Sequence, residues 1–427
     1  MRLSTIYIFF YLSSSISALT LEEAIEKTLK THPSAQITSL QSESAIESTK
    51  SVDSALYPRI DANANYFPTK TFVMPTNGVF STKQGDSFHG DISGSYSLWD
   101  SGRSRNRYTS ALHAQEGADS MKTLTQNELI EKVWYLYYGV ATAASLIDTA
   151  EASVKFYEAQ YQQAFNMRKS GLKTEADELR FKASLMESQD RALRAKIDYD
   201  KAALSLGILI GSDELVSVNQ FSLNQRCETL SLQNISLETL RQELRDSNPQ
   251  LKALRSSIHS AKGLSDAANH EKYGNVALVG SYGYDDSLST YDSYQAGVVG
   301  TIPLYDGGKL SAEAQKSRIA YTIAQKEFEN TERQLWQELY GVYRDFERAN
   351  ESIKSKESMI EATAKSLHLI GGRYAQGLAT YVDVLESQSA LENAKSDLVQ
   401  AKYQKISAYA HVQRLLNKGC FNDICKQ

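Results

Sequence analysis

Leu98-Trp99-Asp100-Ser101-Gly102-Arg103 and Leu304-Tyr305-Asp306-Gly307-Gly308-Lys309 are one string written twice, 206 positions apart. Each copy closes a stretch of alternating apolar and polar residues and opens a long helical one. The likeness extends outward in both directions. Upstream, Leu19-Thr20-Leu21-Glu22-Glu23-Ala24-Ile25, closed by Pro33, is answered by Ile235-Ser236-Leu237-Glu238-Thr239-Leu240-Arg241, closed by Pro249, at an offset of 216. Downstream, Trp134 with Gly139-Val140 is answered by Trp336 with Gly341-Val342. Gly171-Leu172-x-Thr174-x-x-Asp177 is answered by Gly377-Leu378-x-Thr380-x-x-Asp383. A repeat this long exceeds a solenoid unit, so the chain reads as one architecture made of two similar halves.

Proline placement divides each half. Prolines stand only at 33, 58, 68, 75, 249 and 303, leaving 76–248 and 304–427 free of them. An interior proline costs a helix about 3 kcal/mol, so those voids are where long helices run. The first repeat, 19–211, is read as a helix over 20–56, a β-hairpin over 57–98, a long helix over 102–168 and a return helix over 174–210. A linker at 212–235 leads to the second repeat, 236–419, with a helix over 236–272, a hairpin over 275–304, a long helix over 308–374 and a return helix over 380–417; a short tail, 420–427, follows. Each long helix spans roughly 100 Å at 1.5 Å per residue. Such a rod needs a buried seam, and Leu335, Leu339, Val342, Phe346, Ala349 and Ile353 supply one with alternating spacings of four and three. Val140, Ala143, Ile147, Ala150 and Val154 do the same in the first half with smaller side chains.

The strands alternate with period two. Ile60, Ala62, Ala64 and Tyr66 share one face of the first, against Arg59, Asp61, Asn63 and Asn65; Phe88, Gly90, Ile92, Gly94, Tyr96 and Leu98 share one face of the second. The segment 68–87 between them reads as a long loop. The second hairpin offers Val276, Leu278, Gly280, Tyr282 and Tyr284 opposite Tyr294, Ala296, Val298, Gly300 and Ile302. Strands of 9–11 residues match a tilted bilayer crossing, and aromatic residues gather at their ends. Four strands cannot close a barrel, and an open edge in lipid leaves backbone groups unpaired at several kcal/mol each. Copies of the chain must therefore share one: two give a side-chain-filled eight-stranded barrel, three give twelve strands and room for a conduit, which is the economical choice.

The N-terminal segment 1–18 reads as a secretory signal peptide: Arg2, an apolar run from Ile6 to Leu12, then small residues to Ala18. That run is too short to span a membrane as a helix. With 46 Lys and Arg against 51 Asp and Glu, and no basic cluster interleaved with aromatics, nucleic acid is not an expected partner. Among Cys227, Cys420 and Cys425, two can pair in an oxidising compartment, and buried or incidental thiols fit as well.

With these features together, the chain resembles the TolC family of outer membrane efflux and secretion ducts. The residues that carry the resemblance are Leu19 to Ile25, Pro303 to Lys309, and Arg373-Tyr374-Ala375-Gln376-Gly377-Leu378-Ala379-Thr380-Tyr381-Val382-Asp383-Val384-Leu385-Glu386. The resemblance implies a mixed fold: a homotrimer with a twelve-stranded transmembrane β-barrel, four strands per protomer, in outer membrane lipid, continued by a long α-helical coiled-coil tunnel through the periplasm. It implies a periplasmic adaptor protein and an inner membrane transporter as partners at the tunnel's far end, where the turns at Gly171-Leu172 and Gly377-Leu378 are the tips. It places Asp383 and Glu386, three apart on one helix face, as stacked acidic rings of a periplasmic gate. It aligns Asp177 and Tyr374 with a hydrogen-bonded pair that keeps the gate shut. The family's best-known members carry an Arg at the position of Ala379, which leaves Arg373 and Lys173 as the nearby cations here.

Two other readings compete. A periplasmic coiled-coil adaptor or structural protein accounts for the heptads but places its sheet in a soluble domain. An enzyme is not expected, nor a cofactor or bound metal: the seven histidines form no ligand-spaced pair, and there is no nucleophile elbow, phosphate loop or His-Glu-x-x-His.

Overall fold

The computed structural model describes residues 19–76, 79–219, 221–232 and 236–418. The expected signal segment, and the tail with Cys420 and Cys425, lie outside the described residues. Cys227 is buried as a free thiol.

The first half runs α1 (Leu21–Thr31), α2 (Pro33–Asp53), β1 (Arg59–Thr76), β2 (Val79–Trp99), α3 (Arg103–Lys169) and α4 (Glu175–Leu209). After α5 (Ser222–Thr229) the second half repeats the order with α6 (Leu237–Ser247), α7 (Pro249–His270), β3 (Asn275–Asp286), β4 (Thr290–Thr301), α8 (Lys309–Ala375) and α9 (Tyr381–Leu415). Both long helices have 67 residues and both return helices 35. The repeat is thus kept at the level of helix length.

Three expectations need correction. The single helices expected over 20–56 and 236–272 are each broken in two, at His32 and Asn248, which take extended ψ values of 127° and 125°. Each precedes a proline, whose ring disfavours the helical region for the residue before it. The loop expected over 68–87 is instead a continuation of the first hairpin, paired from Lys70↔Gly85 to Thr76↔Val79. Between Phe67 and Lys70 the register slips by one residue, a bulge at Pro68, which has no N–H to give the ladder. The linker 212–235 holds α5, whose sequence Ser-Leu-Asn-Gln-Arg-Cys-Glu-Thr shows no apolar period.

By contacts the chain separates into two compact units, one of Ile37–Leu124 with Arg245–Gln334, the other of the remaining segments. The first unit contains the sheet, all antiparallel in the order β1-β2-β3-β4. Its register aligns Ile60 with Gly94, Ala62 with Ile92, Ile92 with Tyr282 and Tyr282 with Tyr294. Every residue expected on an apolar face between Ile60 and Tyr66, Phe88 and Tyr96, Val276 and Tyr284, and Tyr294 and Gly300 therefore falls on the same side. The other side is mainly polar, with Ala277, Val279 and Val299 as exceptions on β3 and β4: Asn63 donates to Asp91 at 3.2 Å, and His89 lies 3.0 Å from Asp285. Below the sheet, α3 meets α7 through small residues. Ser110 Oγ donates to the Ser260 carbonyl at 2.8 Å, and a Cβ on Gly263 would stand 2.9 Å from the Asn106 carbonyl oxygen.

The second unit is centred on Trp134, fully buried among Leu19, Leu206, Leu223 and Ala410. The guanidinium of Arg226, on α5, caps its ring at 5.1 Å; Arg241, on α6, caps Trp336 at 5.6 Å. The heptad residues Leu335, Leu339, Phe346, Ala349 and Ile353 are buried, as are Leu391, Ala394, Ala401 and Val412 of α9. Arg414 clamps two carboxylates, Glu131 and Glu338, each at 2.6 Å, and His411 joins Glu338 at 2.6 Å, which ties α3, α8 and α9 together.

Candidate functional site

The two helix turns are built identically. Gly171, at φ +73°, sends its N–H to the Arg168 carbonyl, and Leu172 sends its own to Met167, both at 2.9 Å. Gly377, at φ +75°, bonds to Tyr374 at 3.0 Å and Leu378 to Arg373 at 2.8 Å. This is the Schellman ending, in which glycine takes the left-handed position that other residues resist. The next helix then begins with a capping box. Thr174 accepts from the Asp177 N–H at 3.3 Å while Asp177 Oδ2 accepts from the Thr174 hydroxyl at 3.0 Å. Thr380 and Asp383 repeat it at 3.3 and 2.8 Å. The duplicated Gly-Leu-x-Thr-x-x-Asp string is therefore explained by turn chemistry in both copies.

That finding separates the two proposed gate acids. Asp383 is fixed by helix capping: the hydrogen bond from the Thr380 N–H, then that from its hydroxyl, holds the carboxyl below its ordinary value of 3.8. Glu386 is exposed one turn further along α9, and its counterpart in the first repeat is Arg180. Glu386 is thus the acid that turn formation does not require.

Tyr374 is fully buried, and its hydroxyl has no hydrogen-bond partner among the described residues. Burial, and second the nearby Asp177 charge, push its phenol up to about 12. Asp177 is engaged with Thr174, so the two residues expected to pair are near each other without a hydrogen bond between them. Around Tyr374 is a small aromatic core with Tyr157, Phe181, Leu185 and Val384. Phe181 stands edge-on to Tyr374 at 5.6 Å and to Tyr381 at 4.7 Å, and Ser184 Oγ lies 2.9 Å from the Tyr381 hydroxyl. Of the two cations near the absent Arg, Lys173 places Nζ 4.4 Å over the Tyr374 ring, while Arg373 helps to lower Asp383. Phe181 and Tyr381 were not legible as site residues, because their partners lie about two hundred positions away. Arg168 and Glu178 form an ion pair across the first turn; position for position in the repeat they become Tyr374 and Val384. Leu172 and Leu378 project at the turns with 70% and 67% of their surface exposed.

At the opposite end of the long helices the duplicated junction is also a hydrogen-bonded device. Asp100 accepts from the N–H groups of Gly102 at 3.1 Å and Ser104 at 2.7 Å; Asp306 accepts from Gly308 at 2.9 Å and Leu310 at 2.6 Å. Ser101 and Gly102 carry positive φ, as do Gly307 and Gly308. Burial works to raise the Asp100 carboxyl, but the hydrogen bonds from Ser104 and Gly102 outweigh it; at Asp306 the Leu310 N–H dominates; both carboxyls titrate below 3.8. Carboxyls depressed by folding stabilise the protein above the unfolded value and lose that contribution as pH falls through the folded one. Thermal stability is accordingly expected to stay level above about pH 5 and to drop below pH 4, with a shallower drop in Asp100→Asn, measured by the temperature at which the assembled protein dissociates.

Among the described residues no group of three metal-ligating side chains occurs, and no helix is long and apolar enough to cross a membrane. The family model described as outer membrane efflux protein matches residues 24–212 and 240–418, which are the two repeats. The outer membrane protein TolC of Vibrio cholerae is 22% identical over 426 residues, covering 97% of this chain and 94% of that one. The alkaline protease secretion protein AprF of Pseudomonas aeruginosa is 22% identical over 292 residues, 67% of this chain and 60% of the relative. The crystal structure of CusC superposes with a TM-score of 0.83 at 14% identity, covering 94% of this chain and 92% of that one.

Proposed function

Since the chain belongs to the outer membrane efflux protein family, its place is the outer membrane and its work is efflux or secretion, and we propose that three copies make one duct with a gate at its periplasmic end. The observation that carries the reading is the sheet register, which gathers most of the apolar residues on one side and ends in two open edges, β1 and β4. In lipid those edges need partners, and β4 of one copy beside β1 of the next supplies them. Twelve strands then enclose a water-filled passage lined by the polar side with Asn63, Asp91, His89 and Asp285. A second surface asks for the same neighbour: Leu179, Met186, Leu193, Ile197, Leu204 and Ile208 form an exposed apolar stripe along α4. The adaptor reading accounts for the heptads but places the sheet in a soluble domain, where its two open edges call for no neighbouring copy.

The inner end of the duct is closed by rings of Asp383 and Glu386, three of each. The exposed tips at Gly171-Leu172 and Gly377-Leu378 meet a periplasmic adaptor, which couples the duct to an inner membrane transporter. Tyr374, buried against Phe181, steadies the closed arrangement, while Asp177 caps α4 through Thr174. Because Asp383 also caps α9, Glu386 is the cleaner probe. Glu386→Gln is expected to weaken block by Mg²⁺ added on the periplasmic side by roughly tenfold, since three converging charges are removed. Single-channel recording in a planar bilayer measures this. Unchanged block in Glu386→Gln, with the channel otherwise intact, rejects the gate assignment.

A further inference from the structure

Five side chains at the two turns stack in one column. Lys173 Nζ lies 4.4 Å over Tyr374; Tyr374 meets Phe181 at 75° and 5.6 Å; Phe181 meets Tyr381 at 82° and 4.7 Å; and the Arg180 guanidinium sits 5.8 Å over Tyr381. The order is cation, ring, ring, ring, cation, with each ring pair edge to face, the geometry its quadrupole favours. The column alternates between the two helix hairpins. Lys173, Phe181 and Arg180 come from the turn after α3 and from α4; Tyr374 and Tyr381 come from the end of α8 and the start of α9.

Turn formation does not explain it. Both turns fold with the same glycine, threonine and aspartate, yet the stacked positions have diverged completely between repeats: Lys173 corresponds to Ala379, Phe181 to Ser387, Arg180 to Glu386, Tyr374 to Arg168 and Tyr381 to Glu175. Each hairpin supplies what the other lacks. The Tyr374 hydroxyl, buried and without a hydrogen-bond partner among the described residues, adds no polar tie, so ring packing joins the hairpins at Tyr374, beside the hydrogen bond between Ser184 and Tyr381.

We propose that this column is the latch of the duct, with Phe181 the wedge that holds the α8–α9 hairpin, and with it Glu386, against the α3–α4 hairpin. The proposal rests on the gate reading above. Opening then means that Tyr374 and Tyr381 slide off Phe181, and Lys173 and Arg180 resist by gripping the outer faces of the same rings. Phe181, Lys173 and Arg180 are positioning residues: they set where the acidic ring stands and do not form it.

The test is single-channel recording of the full-length protein, with Phe181→Ala and the surface double variant Lys173→Ala/Arg180→Ala beside Glu386→Gln. Phe181→Ala is expected to raise resting conductance or open probability by roughly tenfold, from two lost ring contacts, while block by Mg²⁺ persists because the acids remain. The double variant is expected to move the same way by a smaller factor, and it decides the matter if Phe181→Ala yields no channel. Unchanged resting conductance in the double variant and in any Phe181→Ala channel that forms overturns the latch, as does a rise in conductance accompanied by loss of Mg²⁺ block. Failure of the gate reading looks different: Glu386→Gln then leaves block intact whatever the latch variants do.

Discussion

Trp134→Ala is expected to lower stability by about 3–5 kcal/mol, the range for removing a fully buried large aromatic. Trp134 has no exposed surface and packs against Tyr138 at 5.5 Å and Tyr409 at 6.3 Å, with Arg226 over its face. The core cluster to which it belongs draws on α1, α3, α4, α5, α8 and α9, so the cavity opens where six helices converge and none can close it alone. The indole N–H has no hydrogen-bond partner among the described residues, so the loss is one of packing and of the stacked cation. Trp336 provides the control. It holds the same place in the repeat and its own arginine, Arg241, but is only partly buried, so Trp336→Ala is expected to cost clearly less. The temperature at which the detergent-extracted assembly dissociates, followed by electrophoresis, ranks the two; equal losses would mean that burial does not set the difference.

The second large effect is expected at Gly274→Val, which should prevent accumulation of assembled protein in the outer membrane. Gly274 has φ +78° and ψ −165°, a region open essentially to glycine alone. A Cβ there would stand 2.1 Å from the Thr301 carbonyl oxygen and 3.0 Å from Ile302 Cα, both backbone atoms that cannot step aside without parting β3 from β4. Strain of about 1–3 kcal/mol for the dihedral alone is joined by that collision. Gly308 separates the two contributions. Its φ of +89° is equally unusual, but nothing lies within 4 Å of the place a Cβ would take, so Gly308→Ala should keep the assembly with a modest loss of heat stability. Membrane fractionation with and without heating before electrophoresis reads both, and normal levels of heat-sensitive assembly in Gly274→Val would contradict the geometry.

The sequence made some of this legible for identifiable reasons. Internal duplication exposed the junctions and the turns because each duplicated residue makes a local hydrogen bond: Asp100 and Asp306 cap a helix start, Thr174 and Thr380 begin another, and Gly171 and Gly377 end one. Local chemistry leaves local patterns. The strand faces were readable because period two survives in Ile60 to Tyr66 and in Phe88 to Tyr96. It was lost beyond Phe67, where the bulge at Pro68 shifts the phase, and the extended hairpin was therefore read as a loop. The α5 helix escaped because Leu223 and Cys227 are its only buried residues, too few to set a period. The aromatic column was unreadable for a different reason: Phe181 and Tyr381 touch at 4.7 Å but stand two hundred positions apart, and no repeat announces them.

A duct of this kind requires that three copies share one barrel. Native mass spectrometry of the detergent-extracted outer membrane protein measures the copy number directly. A single species of three times the protomer mass is expected. A protomer or a dimer as the species extracted would contradict the shared barrel, because neither supplies the twelve strands that the open edges of β1 and β4 require.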